Sequence, residues 1–456
     1  MLASLLVSSC LLTTNYGSHL ITRQTFPFVQ TRETIKEYTE HLPNLRFDPI
    51  IDLTFGGNSF KRPDTSDLLP DLNGYLEMEN ANITEFLNRQ FINDPTGVNY
   101  LSKQLKTSLE VIKEAQRIHY NLFQDILGKY KYCILLDIAD FENKGDPAIT
   151  VGEIYYLSRI NLTILFYCSS YVCTDSMLEK ALVIARKHSP NELVILIHGG
   201  GSIIGYIERD EFRFKILKMF KGFHLFVFPQ SIWKHKLIPA AHFQLCKTSY
   251  CCNENLTFVI RDSASYSMAK QYFNGTTKLL MAPDMAFHIG PIKRFISPVF
   301  DILWLRRQDQ ETGRYNITKK FPPHLRVHVT DWNNFRTPQA GTSLEKAFYA
   351  TVMGTFFVQR GRVVITDRLH GHIFSTLMDI PHVLLDNQWK KVSSYHNTWT
   401  LGLENTRLTD NADEAIKYAL ELLEIYDQVL PPRIKLMTPN VKVKNNTLTL
   451  LDSSYP

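Results

Sequence analysis

The sequence predicts an α/β protein in two domains, and three observations carry that prediction. Apolar runs such as Tyr132–Ile138, Leu193–Ile197 and Leu256–Ile260 are continuous rather than alternating, as in strands buried on both faces. Segments with helical spacing separate them. Turn-rich motifs follow directly after the runs, at the carboxyl edge where open α/β sheets bind ligands.

Taken in order, residues 1–130 form an N-terminal extension. Asp64–Gly74 is turn-rich, with Pro70, Asn73 and Gly74. Leu101, Leu105, Leu109, Ile112 and Ile118 recur near helical spacing, which predicts a helix over about Tyr100–Leu127 stopped by Gly128. The first α/β domain, 131–290, opens with the strand Tyr132–Ile138. A helix follows Gly145-Asp146-Pro147, proline being well placed in a first turn. Strands are expected at Thr163–Tyr167, Leu193–Ile197, Phe223–Phe228, Leu256–Ile260 and Lys278–Met281, with helices at Met177–Lys187 and Ser265–Phe273.

A Pro-containing connection, Gly290–Pro298, leads to the second domain, 291–436. Its strands are read at Val299–Leu305, Arg326–Thr330 and Val363–Thr366, and its helices at Ser343–Gln359 and Asn411–Tyr426. Arg307–Pro323 reads as a charged loop, and 437–456 as a polar tail. The stretch Val363–Trp399 reads as strand, turn, helix, strand and a basic aromatic loop. Within it, Asp367-Arg368-Leu369-His370-Gly371 falls where a strand feeds a helix, whose free N–H groups suit an anion. Arg368 adds a bidentate fork and His370 a group that moves protons near neutral pH. Together they point to an enzyme acting on a phosphorylated or carboxylated small molecule.

Composition sets the outer limits. The 456 residues suffice for two domains and an extension, and 44% hydrophobic content excludes a disordered chain. A net charge of +5 without a long Lys/Arg run gives no indication of nucleic acid. Leu2–Leu12 is apolar but too short to span a bilayer, and no basic residue precedes Arg23. It reads as a weak signal, a truncated anchor or an ordinary terminus, which leaves membrane anchoring open. Six Asn-X-Thr sequons occur, at Asn82, Asn161, Asn255, Asn274, Asn316 and Asn445. Composition alone predicts roughly three or four Asn-X-Ser/Thr matches, so the modest excess tilts the reading toward the secretory lumen, the Golgi in particular. Asn161 is expected to begin a core strand.

Without Cys10, six cysteines remain, and spacing cannot choose their pairing. Cys133 reads as a core thiol, and Cys246 is placed to close a local loop with Cys251 or Cys252. No C-x-x-C pair suggests zinc, and no cofactor is expected.

The motifs in sequence are Gly145-Asp146-Pro147-Ala148-Ile149, Gly199-Gly200-Gly201, Pro229-Gln230-Ser231, Arg261–Tyr266, Pro283–Phe287, Ile365–Gly371, Asp386-Asn387 and Lys391. This ordered set, spread from about Tyr132 to Trp399, resembles the polysaccharide pyruvyl transferase family. The resemblance implies transfer of the pyruvyl group of phosphoenolpyruvate to a sugar hydroxyl pair, giving a cyclic ketal and phosphate. It also implies two Rossmann-like domains facing a cleft in the GT-B arrangement, with Arg368 at the donor. Ser202–Tyr206 is less polar than the family pattern, a departure on the acceptor side.

On this reading His370 and Arg368 are the catalytic candidates, His370 as acid toward the enol methylene. Arg368, His370, Arg261 and Lys391 are expected at the donor. Asp146, Gln230, Asp284, Gly200 and Gly201 are expected at the acceptor, with Asp284 as a base and Asp146 alternatively a helix cap. Trp233, Tyr206 and Trp399 are candidates to stack on sugar rings, against the commoner role of core packing. His396 is the next candidate acid. Plain alternatives remain for each: Arg368 bridging Asp367, Arg261 pairing with Asp262 or Asp284, Lys391 solvated. Two other functions stay open, a glycosyltransferase using a nucleotide sugar and an inactive glycan-binding relative.

Overall fold

The computed structural model describes residues 102–456 apart from 234–237, 310, 314, 336–340, 388, 435–440, 445–446 and 451–456. The Leu2–Leu12 stretch, the Asp64–Gly74 segment and the sequons at Asn82 and Asn445 lie outside the described residues.

Helix α1 (Ser108–Leu127) starts later than its apolar spacing suggests, because Thr107 and Glu110 form a capping box there. Gly128 ends it. The first sheet then builds through β1 (Tyr132–Ile138), α2 (Gly145–Arg159), β2 (Thr163–Ser169), α3 (Asp175–Ala185), β3 (Leu193–Ile197) and β4 (Gly200–Ile203). It continues through α4 (Ile207–Met219), β5 (His224–Ile232), α5 (Ala240–Cys251), β6 (Leu256–Ile260), α6 (Ser263–Tyr272) and β7 (Lys278–Met281). A 3-10 turn, Met285–Ile289, closes this half. The second half runs through β8 (Phe300–Leu305), β9 (Val327–Thr330), α7 (Ser343–Val358), β10 (Gly361–Thr366) and α8 (Leu369–Leu377). It ends with β11 (His382–Leu385), α9 (Lys391–Trp399), β12 (Thr406–Thr409) and α10 (Ala412–Ile425).

Strand order is β2-β1-β3-β5-β6-β7 in the first sheet, with β4 beside β5, and β12-β11-β10-β8-β9 in the second. All the pairings are parallel. In each sheet the first strand lies between the second and the third, so strand order reverses at β1/β3 and at β8/β10. Such reversal points open a crevice at the carboxyl ends of the strands.

The continuous apolar runs are explained by burial on two sides. In β10, Val363 and Ile365 pack with α10 in one core, while Val364 faces a larger core shared with the first half. In β8, Ile302 and Trp304 divide from Leu303 and Leu305 in the same way. The larger core runs unbroken from β1 and β3 through α2 and α7 to α8, so the two halves share buried surface.

Several expectations need correction. Residues 391–399, read as a loop, are helix α9. The polar tail holds an antiparallel hairpin, β13 (Val441–Lys444) with β14 (Thr447–Leu450). Helices α4 and α5 went unread because buried Asp210, Arg213 and His242 interrupt their apolar stripes. Cys246 is a buried free thiol, since Cys251 pairs with Cys252 and Cys168 with Cys173. Cys133 is a core thiol, as read. Asn161 does not begin a strand: it is exposed, at φ 58°, in the turn before β2.

Histidines wholly or partly buried by the fold shape its acid response. Burial pulls His119, His224, His382 and His396 down to about 4. The unfolded chain takes up protons on these groups below about 6.5 while the folded chain does not. Their stability contribution is therefore present above that pH and is lost as pH falls through 4. Asp367 acts oppositely, because burial raises its carboxyl to about 6. Burial also raises Glu153, Asp210 and Asp386, but it pushes His288 and His372 down further still, so the histidines dominate and the denaturant midpoint should fall between pH 6.5 and 4. A flat midpoint over that window would contradict the burial of these rings. Asp367→Asn should steepen the fall.

Candidate active site

The carboxyl edges of the two sheets meet at His370. It lies in the first turn of α8, just past β10, where the Arg368 N–H donates to the Thr366 hydroxyl at 3.0 Å and fixes the turn. Its ring rests on Gly145 at the start of α2. A side-chain carbon at Gly145 would come within 2.4 Å of the ring, so glycine is required for this seat. The imidazole is buried, with Nε2 3.5 Å from Asp284 Oδ2 and in no hydrogen bond.

Asp284 follows β7 and caps the 3-10 turn by accepting from the Ala286 N–H at 2.9 Å. Arg261, at the end of β6, donates to Asp284 Oδ2 at 2.7 Å and to the Ser231 hydroxyl at 2.8 Å. Tyr395 of α9 accepts from the Asp284 N–H at 3.0 Å. Burial alone would raise the Asp284 carboxyl, but His370 and Arg261 outweigh it and hold the group well below the usual carboxylate range. A carboxylate so held is a weak base. The expected role of Asp284 as base is replaced by that of an anion orienting His370 and Arg261.

Gly201 brings two cations together. A side-chain carbon there would lie 2.6 Å from Arg261 Nη2 and 3.4 Å from Lys391 Nζ, so only glycine leaves room for both. Lys391, the first residue of α9, donates to Gly201 O at 3.1 Å and to Glu311 Oε1 at 2.8 Å. Burial lowers its pKa, against the pull of Glu311. The Glu311 carboxylate also receives the Tyr206 hydroxyl at 3.1 Å and pairs with Arg307 at 3.0 Å. The slot between Lys391 and Arg307 thus already fits an anionic oxygen pair. Sequence reading passed over Glu311 and Arg307, because they stand in a charged loop with no motif around them.

Other expected residues fall in different places. Asp146, half-buried, accepts from Asn143 Nδ2 at 3.0 Å, and no side-chain cap bond forms at the start of α2. A side-chain carbon on Gly200 would lie 4.0 Å from Asp146 Oδ1 and 3.9 Å from Gln230 Oε1, so these three are neighbours. Gln230, however, is fully buried and spends its amide on His198 O at 2.7 Å and on the Ser202 N–H at 3.4 Å. It braces the glycine turn rather than facing a ligand. A buried pair that was not foreseen, His198 and Glu153 at 2.9 Å, holds the same turn, with Glu153 accepting from the Gly199 N–H at 2.8 Å.

Arg368 departs furthest from expectation. It is 2% exposed, and its Nε and Nη2 grip Asp331 at 2.9 and 2.7 Å, with Asp309 at 3.1 Å from Nη2. The fork assigned to a substrate anion is taken by Asp331 rather than Asp367, and Nη1 alone is outside these bonds. His396 is buried and bonded to Thr400 at 2.9 Å within its own helical turn, which removes it as an alternative acid. Trp399 is buried and donates to Arg261 O at 2.7 Å, so it is a strut. Trp233 and Tyr206 are half-buried beside Trp389, with Trp233 stacked on it at 4.8 Å and Tyr206 edge-on at 6.2 Å.

Comparison with known proteins covers most of this site. The sequence pattern of the family described as Polysaccharide pyruvyl transferase matches residues 143–336 and 357–388. "Pyruvyl transferase 1" of Schizosaccharomyces pombe is 32% identical over 324 residues, covering 66% of this chain and 79% of the relative. "Putative pyruvyl transferase EpsO" of Bacillus subtilis is 29% identical over 318 residues, covering 64% of this chain and 92% of the relative. "General stress protein 30" of Bacillus subtilis is 23% identical over 297 residues, covering 63% of this chain and 83% of the relative.

The Arg368 geometry makes a stability prediction. Arg368→Ala strands Asp331, 2% exposed at its side chain, without its bidentate partner. Breaking a buried pair from one side costs about 3–5 kcal/mol. The variant should unfold at correspondingly lower denaturant, and Arg368→Lys should recover only part of the loss because lysine lacks the planar fork. An unchanged midpoint for Arg368→Ala would show that the pair is not formed in solution.

Proposed function

The chain belongs to the polysaccharide pyruvyl transferase family, and from that premise we propose that it moves the pyruvyl group of phosphoenolpyruvate onto two hydroxyls of a glycan sugar. The products would be a cyclic pyruvate ketal and inorganic phosphate. The observation that carries this reading is the pairing of two features: an unbonded, buried His370 Nε2 held near Asp284, and two cations meeting at Gly201.

Phosphoenolpyruvate brings a phosphate and a carboxylate within a few ångströms. Arg261, Lys391 and Arg307 offer cations for both, in a slot where Glu311 already places a carboxylate. We assign donor contact to Arg261 and Lys391 first, with Arg368 offering only its Nη1. His370, protonated and oriented by Asp284, gives its proton to the enol methylene, which becomes a methyl group. The adjacent carbon gains oxocarbenium character, and one sugar hydroxyl adds to it. The carbon–oxygen bond to phosphate then breaks, and the second hydroxyl closes the ketal. Of the two hydroxyl protons, one restores His370 and the other leaves with phosphate. We read the two apposed sheets as a GT-B-like pair whose donor slot draws on both halves, with Asp146 and Gly200 on the acceptor side. Tyr206 and Trp233 supply half-buried aromatic surface for a sugar ring.

We further place the protein in the secretory lumen, in the Golgi. The four described sequon asparagines, Asn161, Asn255, Asn274 and Asn316, are all exposed. Among the described residues no helix is long and apolar enough to cross a membrane. Protein from its native host should shift in gel mobility after N-glycosidase treatment. No shift, together with a cytosolic location, would overturn the placement.

The chemical reading is tested by incubating the protein with phosphoenolpyruvate and galactose-, mannose- or glucosamine-ended acceptors and looking for the ketal by mass. Phosphoenolpyruvate, but not a nucleotide sugar, should raise the melting temperature. A proton donor acts mainly in the transition state, so His370→Gln should lower turnover by about a hundredfold to ten-thousandfold while donor affinity changes little. Near-normal turnover would move the acid elsewhere. A selective loss of donor affinity would make His370 a phosphate partner instead.

A further inference from the structure

Away from the cleft, three side chains of unlike chemistry converge between α4 and α5. His242 and Cys246 stand four residues apart on α5 and so share one face. Asp210 reaches them from α4, and all three are buried. Asp210 Oδ2 is 3.1 Å from His242 Nε2 and 3.6 Å from Cys246 Sγ, and the nitrogen and sulfur are 3.4 Å apart. We propose that these residues form a zinc site that ties α4 to α5.

Bond lengths of about 2.0–2.3 Å around a tetrahedral ion put neighbouring ligand atoms roughly 3.3–3.6 Å apart. The three observed separations fall close to that range, so the atoms mark one face of a coordination tetrahedron, with water as the fourth ligand. Imidazole, thiolate and carboxylate together suit zinc, whereas magnesium and calcium select oxygen alone. The other oxygen of Asp210 is already held, by the Tyr250 hydroxyl at 3.2 Å and by Arg213 at 3.6 Å. That leaves Oδ2 directed at the ion, the usual use of groups behind a ligand. Arg213 is itself paired with Asp137 at 2.8 Å, so part of its charge is compensated elsewhere. Binding would release the Cys246 thiol proton. The site touches no reacting atom. Its effect would be mechanical, since α4 also begins at Tyr206, which holds Glu311, and carries Arg209 against Asp137.

The test uses the full chain, stripped with a chelator and then titrated with Zn²⁺, with Mg²⁺ and Ca²⁺ as controls. One equivalent of Zn²⁺ should bind and raise the melting temperature, and the controls should do neither. Co²⁺ in place of Zn²⁺ should give the visible bands of a tetrahedral ion and a near-ultraviolet sulfur-to-cobalt band. Cys246→Ser should abolish the sulfur band, and His242→Ala should weaken Zn²⁺ binding at least about tenfold. A wild-type protein that binds neither Zn²⁺ nor Co²⁺ stoichiometrically overturns the proposal, whether or not the variants fold. So does a sulfur band that persists in folded Cys246→Ser.

Discussion

The buried carboxylate of Asp284 is the interaction on which the site depends. An ionised group in that position is tolerable only if paired and hydrogen-bonded. Arg261 answers it from the first half and His370 from the second, and the Ala286 N–H takes the remaining oxygen. One charge therefore demands that both halves of the molecule be in register. The Tyr395 bond to the Asp284 N–H adds α9 to the same requirement. The geometry of the candidate site and the registry of the two halves are satisfied by the same few atoms.

A second network, of alternating charge, borders the site. Asp331, Arg368, Asp309, Arg307, Glu311 and Lys391 follow one another through ion pairs of 2.7 to 3.1 Å. Such a chain gives each charge a partner and ends at Lys391, which meets Arg261 at Gly201, where a side chain would not fit. On the proposed reading, a substrate anion entering here would exchange with Glu311 rather than meet bare cations. The barrier to binding would then be the movement of a loop carboxylate, not the desolvation of isolated charges.

Much of the fold was legible because burial on both faces leaves a local trace. β1, β3, β6 and β7 have the bounds that their apolar runs indicate. α4 and α5 were not legible, since Asp210, Arg213 and His242 occupy buried positions that a periodicity reading assigns to apolar residues. His370, Arg261, Lys391 and Gly201, which the fold brings together, were picked out through sequence motifs. Glu311 and Arg307 were not, because a charged loop looks the same whether it is solvated or folded over a cleft. Arg368 was recognised but assigned to a substrate anion, with Asp367 as the plain alternative; the fold pairs it with Asp331, which lies in a different loop that chain proximity does not indicate.

By itself, the sequence determined most of the strands, the turns that follow them and, through the order of its motifs, the family. These are properties of short windows, where side-chain type and spacing act through local backbone physics. Only the tertiary structure decided which charges neutralise which. Ion pairing depends on distances between residues far apart in the chain; it made Arg368 a buried brace and set Asp284 against Arg261 and His370, while hydrogen bonds fixed Gln230 behind the glycine turn. It also assembled Asp210, His242 and Cys246, whose spacing follows no metal-binding pattern because the third ligand comes from another helix.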